Sequence, residues 1–156
     1  MSASFRISGK GRLTQANTAR FTFDDQAYSG VAGDTLASAL LANGVHLVGR
    51  SFKYHRPRGI LSAGAEEPNA LVGIHRDAAR KTPNVRATVQ ELYDGLTAVS
   101  QNRWPSLSFD VGAVNDLASP LFSAGFYYKT FMWPKAAWKS LYEPKIREAA
   151  GLGVSP

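Results

Sequence analysis

Five basic or potentially basic side chains lie within nine consecutive positions of the chain: Arg50, Lys53, His55, Arg56 and Arg58. We call residues 50–58 the basic loop. Arginines at this density can hold a phosphate or a carboxylate through paired N–H donors. The aromatic residues Phe52 and Tyr54 stand between the cations, as in a stacking platform for single-stranded nucleic acid. The pattern therefore leaves three alternatives open: an anion-binding loop, a basic contact surface for another protein, and a nucleic-acid-binding loop.

The whole chain is basic, with a net charge of +6 over 156 residues. Such a charge favours acidic partners, among them nucleic acids. However, the cations cluster in one loop, and the sequence contains no RNP, zinc-finger or helix-turn-helix pattern. We therefore expect no nucleic-acid partner, and a contact surface or an anion site remains.

Other kinds of chemistry are excluded or unsupported by the sequence. The chain has no cysteine, which rules out disulfides, thiolate catalysis and cysteine-ligated iron–sulfur clusters. His46, His55 and His75 are too scattered for a helix-borne metal pair. Glu66 and Glu67 are adjacent loop carboxylates, which are typically solvated, so we expect both to face water. No phosphate-binding, dinucleotide-binding or nucleophile-elbow motif is present. We therefore predict no catalytic residue, no metal site and no cofactor held by this chain alone.

The chain divides into three regions that differ in amino-acid composition and pattern. Residues 1–19 are polar and predict an N-terminal arm. Residues 20–102 contain the regular patterns of a folded domain. Residues 103–156 form an aromatic-rich extension, which holds all three tryptophans: Trp104, Trp133 and Trp138. So much aromatic area outside regular elements is typical of a surface that packs against another domain or subunit.

Within residues 20–102 the patterns predict a hairpin, a helix and three further strands. Alternation at residues 20–23 and 27–31 indicates the hairpin. An apolar stripe after Asp34, the expected N-cap, indicates a helix that ends at Asn43–Gly44. Residues 70–75 and 85–92 are strand-like, and Asp94–Gly95 predicts a hairpin turn into residues 96–99. This order predicts an α+β fold, a ferredoxin-like β-grasp in which one helix packs on a mixed sheet.

The extension predicts mostly irregular and helical structure. Pro134 suits the first turn of a helix over residues 135–141, and Pro144 would break or restart it. No apolar run reaches the length of a membrane span, and the N-terminus has no secretory signal pattern. We therefore expect a cytoplasmic location.

Several long segments of the chain are distinctive: GDTLASALLANGV, GRSFKYHRPRG, SAGAEEPNALV, NVRAT, LYDGLTAVSQNRWPSLSFD and GFYYKTFMWP. They resemble the start of the alpha subunit in the family of heterotetrameric sarcosine oxidases. Related dehydrogenases have a similar domain, in which RPRG leads into the loop of a plant-type 2Fe–2S cluster. The resemblance thus implies a ferredoxin-like domain at the start of a longer subunit, with a dinucleotide-binding domain beyond residue 156.

Plant-type clusters are held by cysteines spaced C-x₄-C-x₂-C with a distant fourth. Placed on this sequence, the spacing falls on four residues that cannot supply a thiolate: Ser62, Glu67, Ala70 and Thr88. The resemblance therefore implies a cluster domain that has lost its ligands and keeps its frame as a scaffold.

The family resemblance also implies an enzyme complex around this chain. Such complexes oxidatively demethylate sarcosine to glycine, release hydrogen peroxide and pass a one-carbon unit to tetrahydrofolate. They use NAD, FAD and FMN, with a zinc site in the smallest subunit. We expect this chain to be inactive alone and to contact the remainder of the alpha subunit and the beta, gamma and delta subunits, through residues 50–58 and 104–138.

Overall fold

The computed structural model describes residues 5–7, 9–11, 13, 17–117 and 135–149. In chain order the elements of the domain are β1 (Thr18–Phe23), β2 (Gln26–Val31), α1 (Leu36–Ala42), β3 (Gly49–Arg50), β4 (Pro57–Arg58), β5 (Leu71–His75), β6 (Lys81–Arg86) and β7 (Leu96–Ser100). Five strands form one sheet in the spatial order β2-β1-β7-β5-β6, and β3 pairs with β4 separately. β1 and β7 are parallel, whereas the other neighbours are antiparallel. A mixed sheet with one packed helix confirms the predicted α+β, β-grasp architecture.

The core lies between α1 and one face of the sheet. In β1, Ala19, Phe21 and Phe23 are buried while the intervening residues are more exposed, as the period of two requires. From α1, Leu36 and Leu40 are fully buried in the same cluster. Burial of this apolar area is the main force that holds the helix on the sheet.

The helix begins one residue later than the sequence indicated. Thr35 is the N-cap, because it is extended and its side chain accepts a hydrogen bond from the Ser38 amide (3.2 Å). Asp34, the expected cap, instead accepts hydrogen bonds from the Thr35 amide and the Ser38 hydroxyl. The predicted C-terminal stop is confirmed, since Gly44 has a φ of +77° that favours glycine.

The strand predicted over residues 85–92 is wrong beyond Arg86. Residues 87–92 leave the sheet, and their backbone bonds to the start of α1: the Leu36 amide donates to the Gln90 carbonyl (2.8 Å), and the Leu92 amide donates to the Asp34 carbonyl (2.7 Å). These bonds to the helix replace the ladder expected of a hairpin. Consequently β7 pairs with β1 and β5 rather than with residues 85–92.

The extension is irregular over residues 103–110, and its other described parts are short and helical, as expected. They comprise a 3₁₀ turn (Val111–Ala113), α2 (Val114–Leu117), a second 3₁₀ turn (Lys135–Ala137), a π-helical segment (Trp138–Tyr142) and α3 (Glu143–Ala149). The helix predicted over 135–141 is therefore helical, but as a 3₁₀ turn followed by a π-helical segment rather than as an α-helix. Trp133 lies outside the described residues. Among those the structure describes, no helix is both long and apolar enough to cross a membrane.

Candidate functional site

The four positions that match the cluster spacing come together in space. The amides of Ser62 and Ala70 both donate to the Glu67 carboxylate, at 2.6 and 3.1 Å. The Thr88 hydroxyl donates to the carbonyl of Gly64 in the same loop. We call residues 61–70 the Glu67 loop. The spacing thus located a genuine structural unit, although its residues are not thiolates.

Glu67 is at the centre of this loop and is fully buried, so the expectation that it faces water is wrong. One carboxylate oxygen accepts the Leu61 and Ser62 amides (2.8 and 2.6 Å), and the other accepts the Asn69 and Ala70 amides (2.7 and 3.1 Å). The carboxylate therefore ties both ends of the loop together. Its neighbour Glu66 is exposed, as expected.

The charge of Glu67 is stabilised by these donors. Burial alone would raise the pKa of the carboxyl group, but hydrogen bonds from the four backbone amides outweigh it and hold the pKa below its ordinary value of 4.5. Glu67 is therefore an anion at neutral pH, although it has no contact with solvent.

The basic loop is engaged with the extension through Asp110. The Asp110 side chain is inaccessible to solvent, and one of its oxygens lies 2.7 Å from Nδ1 of His55 and 3.6 Å from Nε of Arg50. Its other oxygen accepts the amides of Trp104 and Gly112, both at 3.0 Å. One carboxylate therefore fixes the turn of residues 104–112 and joins it to the basic loop.

Arg50 strengthens the same junction. Its guanidinium donates to the carbonyl of Leu107 (2.8 and 3.1 Å) and to the carbonyl of His55 (3.0 Å). Burial would raise the pKa of Asp110, but the hydrogen bonds from His55, Trp104 and Gly112 and the charge of His55 lower it below its ordinary value of 3.8. We call Arg50, His55 and Asp110 the extension clamp.

The remaining cations of the basic loop have internal contacts as well. Arg56 pairs with Asp116 (2.8 Å) and lies over the ring of Tyr54, as Lys53 does. Arg58 donates to the side-chain oxygen of Asn69 in the Glu67 loop (2.5 Å). The loop therefore connects the Glu67 loop on one side with the extension on the other.

Comparison with known proteins identifies the family to which this domain belongs. Residues 16–103 match the model of a family described as a 2Fe-2S iron-sulfur cluster binding domain. The chain belongs to this family. The match covers β1 to β7 and the Glu67 loop, and it ends where the extension begins.

The residues of this chain do not fit the 2Fe–2S cluster after which the family is described. A plant-type cluster needs four thiolates, and the chain has no cysteine. The amides at the two ends of the Glu67 loop are already satisfied by a carboxylate. Within the described residues, no group of three or more histidine, aspartate or glutamate side chains could hold a metal ion.

Curated relatives confirm the resemblance found in the sequence. The chain is 64% identical over 151 residues to the sarcosine oxidase subunit alpha of Rhizobium meliloti (strain 1021), which covers 97% of this chain and 15% of that protein. It is 45% identical over 89 residues to the sarcosine oxidase subunit alpha of Corynebacterium sp. (strain U-96), covering 56% of this chain and 9% of that protein. The chain thus spans less than a sixth of these relatives.

A solved structure, of L-proline dehydrogenase from P. horikoshii, overlaps 56% of this chain and 16% of its own. The TM-score is 0.46 at 19% identity, and so partial an overlap has no bearing on function.

Asp110 is the important residue that sequence reasoning missed. It lies 55 positions from His55, so no local spacing joins the two. The available signal was electrostatic: the chain has 18 lysines and arginines but only 12 acidic residues, and so dense a basic loop needs a nearby carboxylate. That argument predicts an acidic partner without saying which residue it is.

Proposed function

We propose that this chain is the N-terminal structural and assembly domain of a sarcosine oxidase alpha subunit. The parent complex would be a flavoenzyme that demethylates sarcosine oxidatively to glycine, with hydrogen peroxide as a product and transfer of the one-carbon unit to tetrahydrofolate. The similarity to the Rhizobium meliloti subunit over 97% of this chain supports the assignment. In this proposal the domain contributes binding surface, and neighbouring domains and subunits hold the flavins and NAD.

The observation that carries the assembly role is a group of exposed apolar side chains within residues 104–117, which we call the ridge. Trp104, Phe109, Val114 and Leu117 are 65%, 70%, 58% and 84% exposed. Large apolar side chains concentrated in 14 residues indicate a protein contact surface rather than scattered surface residues.

The backbone of Trp104 and Phe109, the first two members of the ridge, is also held in place before any partner binds. The extension clamp fixes the backbone of residues 104–112 through buried charge-assisted hydrogen bonds, which are stronger than neutral ones. A pre-ordered surface loses less conformational entropy on association, which favours binding. The ridge begins just after residue 103, where the family match ends, so it is an addition to the cluster-domain frame.

The test is capture of the remainder of the alpha subunit and the beta, gamma and delta subunits by the tagged chain. A variant with Trp104→Ala and Leu117→Ala removes two members of the ridge. Its matched control is Val89→Ala, which changes an apolar residue of 53% exposure outside the ridge. We expect the double variant to bind at least about tenfold more weakly, because tryptophans at interface centres contribute about 2 kcal/mol or more, whereas the control binds within about twofold of the unaltered chain.

Flavin absorbance of the captured complex completes the experiment. The proposal expects a flavin spectrum in the complex and none on the tagged chain alone. Unchanged capture by the double variant would remove the ridge from the interface. A flavin bound to the isolated chain would contradict a purely structural role.

A further inference from the structure

The Glu67 loop carries an inference that the assembly role does not use. Two backbone amides at each end of the loop point at a common centre, where they bind both oxygens of one buried carboxylate. Converging amides of this kind form an anion-binding concavity. In proteins that carry an iron–sulfur cluster, backbone hydrogen bonds to the cluster sulfurs are part of the binding shell.

We propose that the Glu67 loop is an anion-binding shell whose permanent ligand is the chain's own Glu67 carboxylate, which stands in for the negatively charged cluster of the family. The four donors are peptide N–H groups, which any small carboxylate can accept from. The chemical class of the ligand is therefore a carboxylate, supplied here in cis by a side chain. Shortening residue 67 would leave a shell that takes a small carboxylate from solution.

Three features support this assignment over that of an ordinary loop glutamate. Glu67 is fully buried, whereas Glu66 beside it is exposed. Both oxygens are used, and each accepts two amides at 2.6 to 3.1 Å. Finally, residue 67 occupies the second ligand position of the cluster spacing, and its donors include residues 62 and 70, the first and third positions.

Thr88, the fourth position of the cluster spacing, also binds the Glu67 loop. The Thr88 hydroxyl donates to the Gly64 carbonyl, and the Arg86 guanidinium donates to the carbonyl of Glu67 itself (3.2 Å). The backbone at residue 64 and at residue 67 itself is thus held by contacts that a change of the residue 67 side chain does not remove. A shell held in this way can keep its shape while its ligand is exchanged.

The experiment compares thermal unfolding of the 156-residue chain with its Glu67→Ala variant, in sodium acetate and in sodium chloride of equal ionic strength. Glu66→Ala is the matched control, since it removes an exposed carboxylate one position away. We expect Glu67→Ala to lower Tm by about 8 °C or more, because it leaves four backbone amides without their acceptor, and Glu66→Ala to shift Tm by less than about 2 °C. Formate or acetate should raise the Tm of Glu67→Ala but not that of the unaltered chain or of Glu66→Ala. At a concentration ten times its Kd, the carboxylate would increase the ratio of folded to unfolded protein by about tenfold.

Two results would overturn the proposal: acetate and chloride acting equally on Glu67→Ala, or Glu67→Ala being as stable as the unaltered chain. If Glu67→Ala does not fold, Glu67→Gln keeps the shape of the side chain and removes its charge. The proposal then requires the unaltered chain to lose more stability than Glu67→Gln between neutral and acidic pH. Parallel pH profiles for the two proteins would refute it.

Discussion

Replacing Asp110 by asparagine tests whether the extension clamp stabilises the fold. The substitution keeps the size of the side chain and removes its charge. His55 then loses an ionised acceptor at 2.7 Å, and Arg50 loses its anion at 3.6 Å. A hydrogen bond to a charged group contributes about 1.5–3 kcal/mol, and breaking a buried ion pair costs about 3–5 kcal/mol. Because asparagine still accepts backbone amides through its oxygen, we expect a loss of about 2–4 kcal/mol in the free energy of unfolding.

The assay is urea denaturation followed by circular dichroism, with thermal unfolding as a second measurement. A loss of this size corresponds to a Tm lower by about 4–16 °C for a chain of this length. Asp116→Asn is the control, since it makes the same chemical change in the Arg56–Asp116 pair, whose side chains are 55% and 47% exposed. Exposed pairs contribute about 1 kcal/mol or less. Equal, small losses in the two variants would show that burial at Asp110 has no energetic consequence and would refute the reasoning.

Three further outcomes follow from the same contacts. The buried carboxylates of Glu67 and Asp110 have a pKa in the folded state that is below their pKa in the unfolded chain. Their contribution to stability is therefore complete above about pH 5 and is lost as the pH falls through the folded-state pKa. Urea denaturation from pH 7 to about pH 3 should show a falling free energy of unfolding, and a flat profile would contradict this. Gly112→Ala should destabilise the chain by about 1–3 kcal/mol, because an added Cβ would lie 2.3 Å from the ring of His55. The measurement is thermal unfolding, and a variant with the Tm of the unaltered chain would mean that the ring has room to move. Replacing Arg56 and Arg58 by glutamine distinguishes the two remaining interpretations of the basic loop: a contact surface predicts weaker capture of partner subunits, and an anion site predicts normal capture with less flavin.

The sequence was sufficient for the parts of the fold that depend on local pattern. Alternation in β1 and the apolar stripe of α1 predicted the hairpin and the helix, because each period identifies one buried face. The same reasoning wrongly predicted a strand at residues 87–92. Val85, Ala87 and Val89 alternate with polar residues as in a strand, but Val89 is 53% exposed, and the backbone of residues 87–92 bonds to the start of α1 through non-local hydrogen bonds.

The candidate site shows a similar division. The spacing identified the Glu67 loop, since the ligand positions of a cluster lie close together in sequence. It could not indicate that Glu67 points inward, because adjacent glutamates give no sign of which one is buried. The role of Asp110 could not be read either, since its contact with His55 spans 55 positions.

The inward carboxylate of Glu67 has a consequence for how this domain is made in the cell. A domain built around a metal cluster completes its folding only when iron and sulfide are delivered, so its yield follows their supply. Here the anion is encoded in the polypeptide and is present as soon as the loop is synthesised. Maturation of this domain should therefore be indifferent to iron starvation and to oxidants that destroy clusters. What it acquires instead is a dependence on acidity, since protonation of Glu67 removes the charge that the four amides bind.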